Sequence, residues 1–441
     1  MSDSDLEQYR RIILEHVHNF AMQKLETSKF IPGKTNIPVS GKVLFPEDIT
    51  NVVDSVLDMW FTNGRFTENF EKALANFFGI RKSLFVNSGS SANLVAFSTL
   101  TSKKLGKRSI GPGDEVITAA LGFPTTINPI IQNKATPVFI DIESGTYNID
   151  VEDIKSAISH RTKAIMVAHT LGNPFNVNSI AQICKENNLW LIEDCCDAFG
   201  ATYDGKLVGT FGDLATLSFY PAHHITSGEG GAVLINSPAL AKIAESFRDW
   251  GRDCYCAPGE NNTCHKRFKW KLGDLPQGYD HKYIYSEIGF NLKATDLQAA
   301  LGLSQLKHLE FFITARRKNF DYLYKNLKKF EAYLQLPHWD SKSNPSWFGF
   351  PITLTGRLLN KRNEFIEYLN AKNIDTRLLF AGNILKQPGY LGISHRKIGN
   401  LDTTNNVMVN SFWIGNYPGL STEHLDYVVS SISEFIDGVK K

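Results

Sequence analysis

Apolar residues recur at helical spacing over residues 5–27 and again over 48–60, with a Pro- and Gly-bearing arm at 30–46 between them. From residue 83 the rhythm changes. Short β-branched runs at 83–87, 115–120, 136–142, 164–170, 190–195, 215–220 and 231–236 are mostly separated by helix-length segments, the alternation of an α/β unit with a mainly parallel sheet. A helical stretch at 295–329, a strand-like run at 347–354, a helix near 361–372 and a last helix at 422–439 read as a smaller α+β unit. The pattern predicts an N-terminal helix and arm at 1–45, a large domain at 46–300 and a small C-terminal domain at 301–441. Two cores suit a chain of 441 residues, since a single core stops growing near ~250–300 residues.

Composition narrows the function without naming it. Hydrophobic residues make up 42% and charged residues 21%, with a net charge of +2, so no global field draws nucleic acid or an anionic membrane. The N-terminus is polar where a secretory signal needs a basic segment and then an apolar run. No stretch approaches the ~18 apolar residues of a membrane span. The expectation is a cytoplasmic protein with no nucleic-acid and no membrane partner. In that reducing compartment six cysteines are not a disulfide framework, and clustered ones point to a metal.

Three motifs bear on chemistry. Asn87-Ser88-Gly89-Ser90-Ser91-Ala92-Asn93 joins a strand to an apolar helix. Small residues let the backbone approach a ligand and free amides at a helix start favour an anion, which reads as a phosphate cup. The same string also suits a turn that only caps a helix. Glu193-Asp194 ends a hydrophobic strand at the carboxyl edge of the sheet, where open α/β folds place ligand contacts. In a pyridoxal enzyme an aspartate so placed pairs with the pyridine nitrogen, although a helix N-cap uses the same residue type. The third motif is Ser218-Phe219-Tyr220-Pro221-Ala222-His223-His224-Ile225-Thr226-Ser227-Gly228-Glu229-Gly230-Gly231.

The order of phosphate turn, strand-end Asp and Ser-Phe-x-x-x-[Lys]-x-x-x-x-Gly-Glu-Gly-Gly resembles the nucleotide-sugar aminotransferase (DegT-type) family. The likeness continues through Gly122-Phe123-Pro124, Gly172-Asn173-Pro174 and Gly289-Phe290-Asn291-Leu292-Lys293, over roughly residues 40–310. It implies the aspartate-aminotransferase fold, fold type I. It also implies that the amides of Ser90 and Ser91 and the hydroxyl of Ser218 hold a cofactor phosphate, that Phe123 stacks on the pyridine ring, and that Asp194 pairs with its nitrogen. Asn291 matches a residue that reaches the phosphate from the neighbouring subunit, so a homodimer with shared sites follows.

One position departs from the family. Where its aminotransferases carry lysine, this chain has His223, and without an ε-amine no internal Schiff base forms. Imidazole still moves protons near neutral pH. The expectation is a chain that holds pyridoxamine phosphate non-covalently. The amine condenses with a sugar ketone, His223 takes the C4′ proton, and a hydroxyl leaves the adjacent sugar carbon. The bland reading is an inactivated relic that only binds ligand. A His223-His224 metal pair is disfavoured, because adjacent residues point in different directions.

Cys254, Cys256 and Cys264 share one short loop, and Cys196 lies two residues after Asp194, giving Cys-x57-Cys-x-Cys-x7-Cys. Four thiolates suit a [2Fe–2S] cluster, and a structural zinc site is the alternative. The spacing resembles the iron–sulfur sugar 3-dehydrases, which also carry histidine at the lysine position. That likeness implies dehydration at C3 of a nucleotide-diphosphate 4-keto-6-deoxyhexose, CDP-linked before dTDP-linked, in deoxysugar synthesis. The cluster would pass electrons singly from an external reductase or ferredoxin to complete the 3-deoxygenation. The basic, aromatic run His265-Lys266-Arg267-Phe268-Lys269-Trp270-Lys271 reads as a dock for that partner, a contact to the substrate diphosphate, or a solvated face. Cys184 and Cys195 read as packed thiols. The rivals are a cluster-free, glutamate-recycled dehydratase and a non-catalytic ligand-binding homologue.

Overall fold

The computed structural model describes residues 2–25 and 29–440; residues 26 and 27 of the expected first helix lie outside them. The first helices are α1 (Asp3–Lys24), α2 (Pro46–Leu57) and α3 (Arg65–Phe78). The strands then run β1 (Lys82–Val86), β2 (Glu115–Ala119), β3 (Thr136–Ile140), β4 (Thr162–Ala168) and β5 (Trp190–Asp194). A short pair follows, β6 (Thr202–Tyr203) and β7 (Lys206–Leu207), and then β8 (Leu214–Ser218) and β9 (Gly231–Ile235). Between them lie α4 (Gly89–Leu100), α5 (Pro124–Gln132), α6 (Val151–Ala157) and α7 (Val177–Glu186), with α8 (Pro238–Arg248) after β9. All seven expected strands are present, each within about two residues of its expected bounds.

The large sheet has the order β1-β9-β8-β5-β4-β2-β3-β14, where β14 (Arg396–Lys397) comes from far along the chain. Neighbours from β8 to β14 pair in parallel, whereas β9 is antiparallel to both β1 and β8. Side chains alternate between two buried faces. Phe85, Ile117, Leu217 and Leu234 enter one core and Val86, Val116, Leu214 and Val233 the other. With both faces covered, the strands read as short apolar, β-branched runs and not as alternating ones, which is why run length and spacing mark them.

The C-terminal part is built on β10 (Leu334–Gln335), β12 (Gly349–Leu354), β13 (Thr376–Arg377) and β15 (Ser411–Gly415), in the order β10-β12-β15-β13 and all antiparallel. The remaining strand, β11 (Ser343–Asn344), pairs with β6. The helical stretch expected at 295–329 is two helices, α9 (Asp296–Leu306) and α10 (Leu309–Leu327). The break has a packing cause. Lys307 and His308 bond back three residues, and His308 then stacks on Phe45 at 3.9 Å. Beyond it α10 bridges both cores, with Leu309, Phe312 and Ile313 in the large one and Phe320, Leu323 and Leu327 in the small one. Phe30 and Ile37 of the N-terminal arm also pack into the small core. The last helices are α11 (Arg362–Ala371), α12 (Asp402–Asn410) and α13 (Thr422–Lys440). No helix is long and apolar enough to cross a membrane among the described residues.

Candidate active site

The carboxyl ends of β1, β5 and β8 meet at one place. β1 delivers the turn at 87–91, in which Ser88 caps α4 by accepting from the Ser91 amide at 3.0 Å. Both readings of that string therefore meet in one turn, since the helix start is capped and still faces the site. The cap occupies the Ser91 amide, one of the two expected phosphate donors. A Cβ on Gly89 would stand 2.5 Å from the Ser218 Cβ and 3.2 Å from the Cys196 Sγ, so only glycine lets these segments touch. Gly231 is equally constrained, because a Cβ there would meet the Ser88 carbonyl at 2.4 Å.

Asp194 ends β5, and its carboxylate is fixed by Thr126 Oγ1 at 2.7 Å, Asn93 Nδ2 at 2.9 Å and the Cys196 amide at 3.1 Å. Neither Asn93 nor Thr126 is singled out by the sequence, although Asn93 ends the 87–93 motif and Thr126 lies two residues after Gly122-Phe123-Pro124. Phe123 precedes α5 and is 52% exposed, a ring face open to a ligand. The Asn291 side chain is exposed and accepts from Lys293 Nζ at 2.9 Å, with no hydrogen bond to the 87–91 turn among the described residues.

His223 stands beside these groups. Its ring stacks on Phe348 at 4.9 Å, and Nδ1 lies 3.5 Å from Asp197 Oδ1. Burial and the charge of Arg316 push the imidazole down to about 4, against the pull of Asp194 and the Cys196 carbonyl. Burial and the Asp194 charge push the Asp197 carboxyl up to about 8. The distance alone would allow an ion pair. The two shifts say otherwise: at neutral pH the contact joins a neutral imidazole to a carboxyl that keeps its proton.

Residues 45–433 match the DegT/DnrJ/EryC1/StrS aminotransferase family. The chain belongs to this family. It is 55% identical over 97% of its length to the lipopolysaccharide biosynthesis protein RfbH of Salmonella typhimurium, covering 98% of that protein. It is 52% identical over 96% of its length to the dTDP-4-dehydro-2,6-dideoxy-D-glucose 3-dehydratase of Saccharopolyspora spinosa, covering 91% of that enzyme. Among solved structures, GDP-4-keto-6-deoxy-D-mannose-3-dehydratase of E. coli, with bound hydrated PLP, superposes with a TM-score of 0.81 at 29% identity, over 90% of this chain and 99% of that one. The fold is thus the expected fold type I, with a mainly parallel mixed sheet and a small C-terminal part.

Within this DegT-family site the cysteines divide. All six are free, and Cys184 and Cys195 are buried as expected. Cys196 lies against the 87–91 turn, and burial and Asp194 raise its thiol well above the ordinary value. Cys254 and Cys256 touch each other in the distant loop. Burial opposes it, but hydrogen bonds from Thr263, Cys254 and Asn262 bring the Cys256 thiol below its usual value. Among the described residues no three of Cys196, Cys254, Cys256 and Cys264 converge within 4.8 Å.

The group that does converge, His169, Glu193 and Cys195, is structural. His169 Nδ1 accepts from the Phe175 amide at 3.3 Å and Nε2 faces Glu193, whose oxygens also take the amides of Gly209, Phe211 and Gly212. In the basic run, Arg267 is paired with Asp280 at 2.6 Å and Trp270 stacks on His281 at 4.7 Å. Asp197, Phe348 and Arg316 escaped sequence reasoning because two of them come from the C-terminal part, which no motif flagged.

Proposed function

We propose that the chain is a pyridoxamine-phosphate-dependent 3-dehydratase of a nucleotide-diphosphate 4-keto-6-deoxyhexose, with CDP-4-keto-6-deoxy-D-glucose as the leading substrate. The observation that carries this reading is His223: a neutral, buried imidazole, its Nδ1 without a hydrogen-bond partner, stands where a tethering lysine is expected. The residues suit the cofactor. Gly89, Ser218 and Gly231 form a cradle that a single Cβ would fill, Asn87 Oδ1 is buried without a partner, and Asp194 is fixed by three donors. The bound cofactor supplies an amine for the sugar ketone and a ring that withdraws electrons.

The chain's own residues do the rest. The 87–91 turn and Ser218 hold the phosphate, Phe123 covers the ring, and Asp194 keeps the pyridine nitrogen protonated. His223 accepts the proton released at C4′ and can return it to the departing C3 hydroxyl. Reductive 3-deoxygenation then needs two electrons. We assign them to a [2Fe–2S] cluster on Cys196, Cys254, Cys256 and Cys264, fed by an external reductase or ferredoxin. The paired Cys254 and Cys256 are suited to one iron by their contact. Asn291 is assigned to the phosphate of a partner subunit in a homodimer.

The test is turnover of CDP-, dTDP- and GDP-4-keto-6-deoxyhexoses followed by mass. Without reductant, solvent oxygen should exchange at C3. With reductant, hydrogen should replace the C3 hydroxyl. Transamination to an amino sugar would overturn the reading. The Saccharopolyspora relative's name favours a second reading, a dTDP-linked 2,6-dideoxy substrate, and the same panel extended by that sugar decides between them. Iron analysis separates the cluster from zinc, since about two irons per chain give charge-transfer colour and zinc gives none.

A further inference from the structure

Arg316 of α10 is fully buried, and among the described residues it forms no ion pair. Its two Nη nitrogens go to backbone carbonyls instead, and Nε has no hydrogen-bond partner. Nη1 donates to Asn416 at 2.9 Å, Phe348 at 3.0 Å and Trp347 at 3.4 Å, and Nη2 donates to His223 at 3.1 Å and Ala222 at 3.4 Å. These acceptors lie on three separate segments: the histidine loop, the start of β12 and the end of β15. A planar fork with several donors can join them, and a lysine cannot. Desolvating a guanidinium whose hydrogen bonds all go to carbonyl dipoles, with Asp197 nearby but not ion-paired to it, is costly, so packing alone is a poor reason to place it there.

The same group touches His223 twice over. It fixes the His223 main chain through the carbonyl, and it fixes the ring's platform through Phe348, on which the imidazole stacks at 4.9 Å. We infer that Arg316 is the positioning residue for His223, locking the histidine loop to the C-terminal sheet. This rests on the reading of His223 as the base. The groups facing the ring are Asp194 and Asp197 at the end of β5, His224 in its own loop and Arg316 from α10.

The experiment is carried out on the holoenzyme. Arg316→Lys keeps a charge and loses the fork. It should speed amide exchange over residues 220–226 and lower kcat with little change in KM, because the loop that carries His223 loses its tie while the substrate contacts stay. Arg316→Met should do the same more strongly. Parental exchange over 220–226 or a parental kcat in Arg316→Lys overturns the inference; should the Met chain not fold, Arg316→Lys decides alone. Dehydration that survives His223→Asn removes the base reading instead, and leaves the exchange to judge Arg316.

Discussion

The cofactor cup and the cysteine loop are built on opposite principles. The cup hangs from three strands whose side chains fill two cores, and its contacts are so close that Gly89 and Gly231 admit no side chain. The loop at 253–286 is mostly turns with one short 3-10 segment, His281–Tyr283, and it exposes Tyr255, Phe268, Tyr279, Tyr283 and Tyr285. It is tied by polar contacts, chiefly Asp253 with His281, Ser286 and Lys104, and Arg267 with Asp280. The first region thus takes its geometry from the packed strands that carry it. Under the proposed cluster the second would take its final geometry from the bonds its thiols make, because metal binding and local folding share one free energy.

Removing chemistry from the cup should give the largest effect. His223→Asn is expected to slow C3 oxygen exchange by about 10²–10⁴-fold, the usual contribution of a general base, with the cofactor still bound. His223→Lys should hold pyridoxal phosphate covalently after borohydride reduction and lose dehydration. Parental exchange rates in either variant would take His223 out of its role. The loop should break differently. Cys256→Ser is expected to lose most of its iron and all 3-deoxygenation while C3 exchange stays near parental, and a variant that lost both halves together would show that loop and cup are one unit.

The contrast also sets what sequence reasoning could read. The seven strands, the turn at 87–91, Asp194, Ser218 and His223 were legible because each motif is local and its backbone is held by its own strand. The partners of His223 were not. Asp197 sits in a run, Glu193-Asp194-Cys195-Cys196-Asp197, whose other members drew the attention, and Phe348 and Arg316 reach the site only when α10 and β12 pack across it. β14 and β15 escaped for a related reason. Two residues, Arg396 and Lys397, have no periodicity to read, and β14 is pinned at the sheet edge by Arg396 to the buried Glu115 at 2.7 Å. The four-cysteine ligand set rests on the resemblance to the iron–sulfur sugar 3-dehydrases and stays a proposal, because spacing alone carries no information about how a loop closes.

Smaller effects sharpen the cup half of the comparison. Gly89→Ala places a methyl 2.5 Å from the Ser218 Cβ, and overpacking of that kind costs about 1–3 kcal/mol. The cost should appear as a lower melting temperature and weaker pyridoxamine phosphate binding, with iron content unchanged. Iron lost in step with the cofactor would contradict the independence of the two sites.

The smallest expected change is in the pH profile, where an ordinary histidine base would lose rate below its usual 6.5. With His223 pushed down to about 4, dehydration should stay flat from pH 7 to about 5 and fall only as the imidazole protonates near 4. Stability carries the complementary signs. A lowered histidine contributes stability above 6.5 that is lost as pH falls through 4, since the unfolded chain takes the proton first. Asp197, raised from 3.8 to about 8, contributes stability below 3.8 that is lost as pH rises through 8. The two slopes oppose each other between about 4 and 6.5, and between 6.5 and 8 the carboxyl acts alone, at about 2 kcal/mol. Asp197→Asn should therefore lose less stability than the parent between pH 6.5 and 8 in urea, and equal losses would mean that Asp197 is already ionised beside His223.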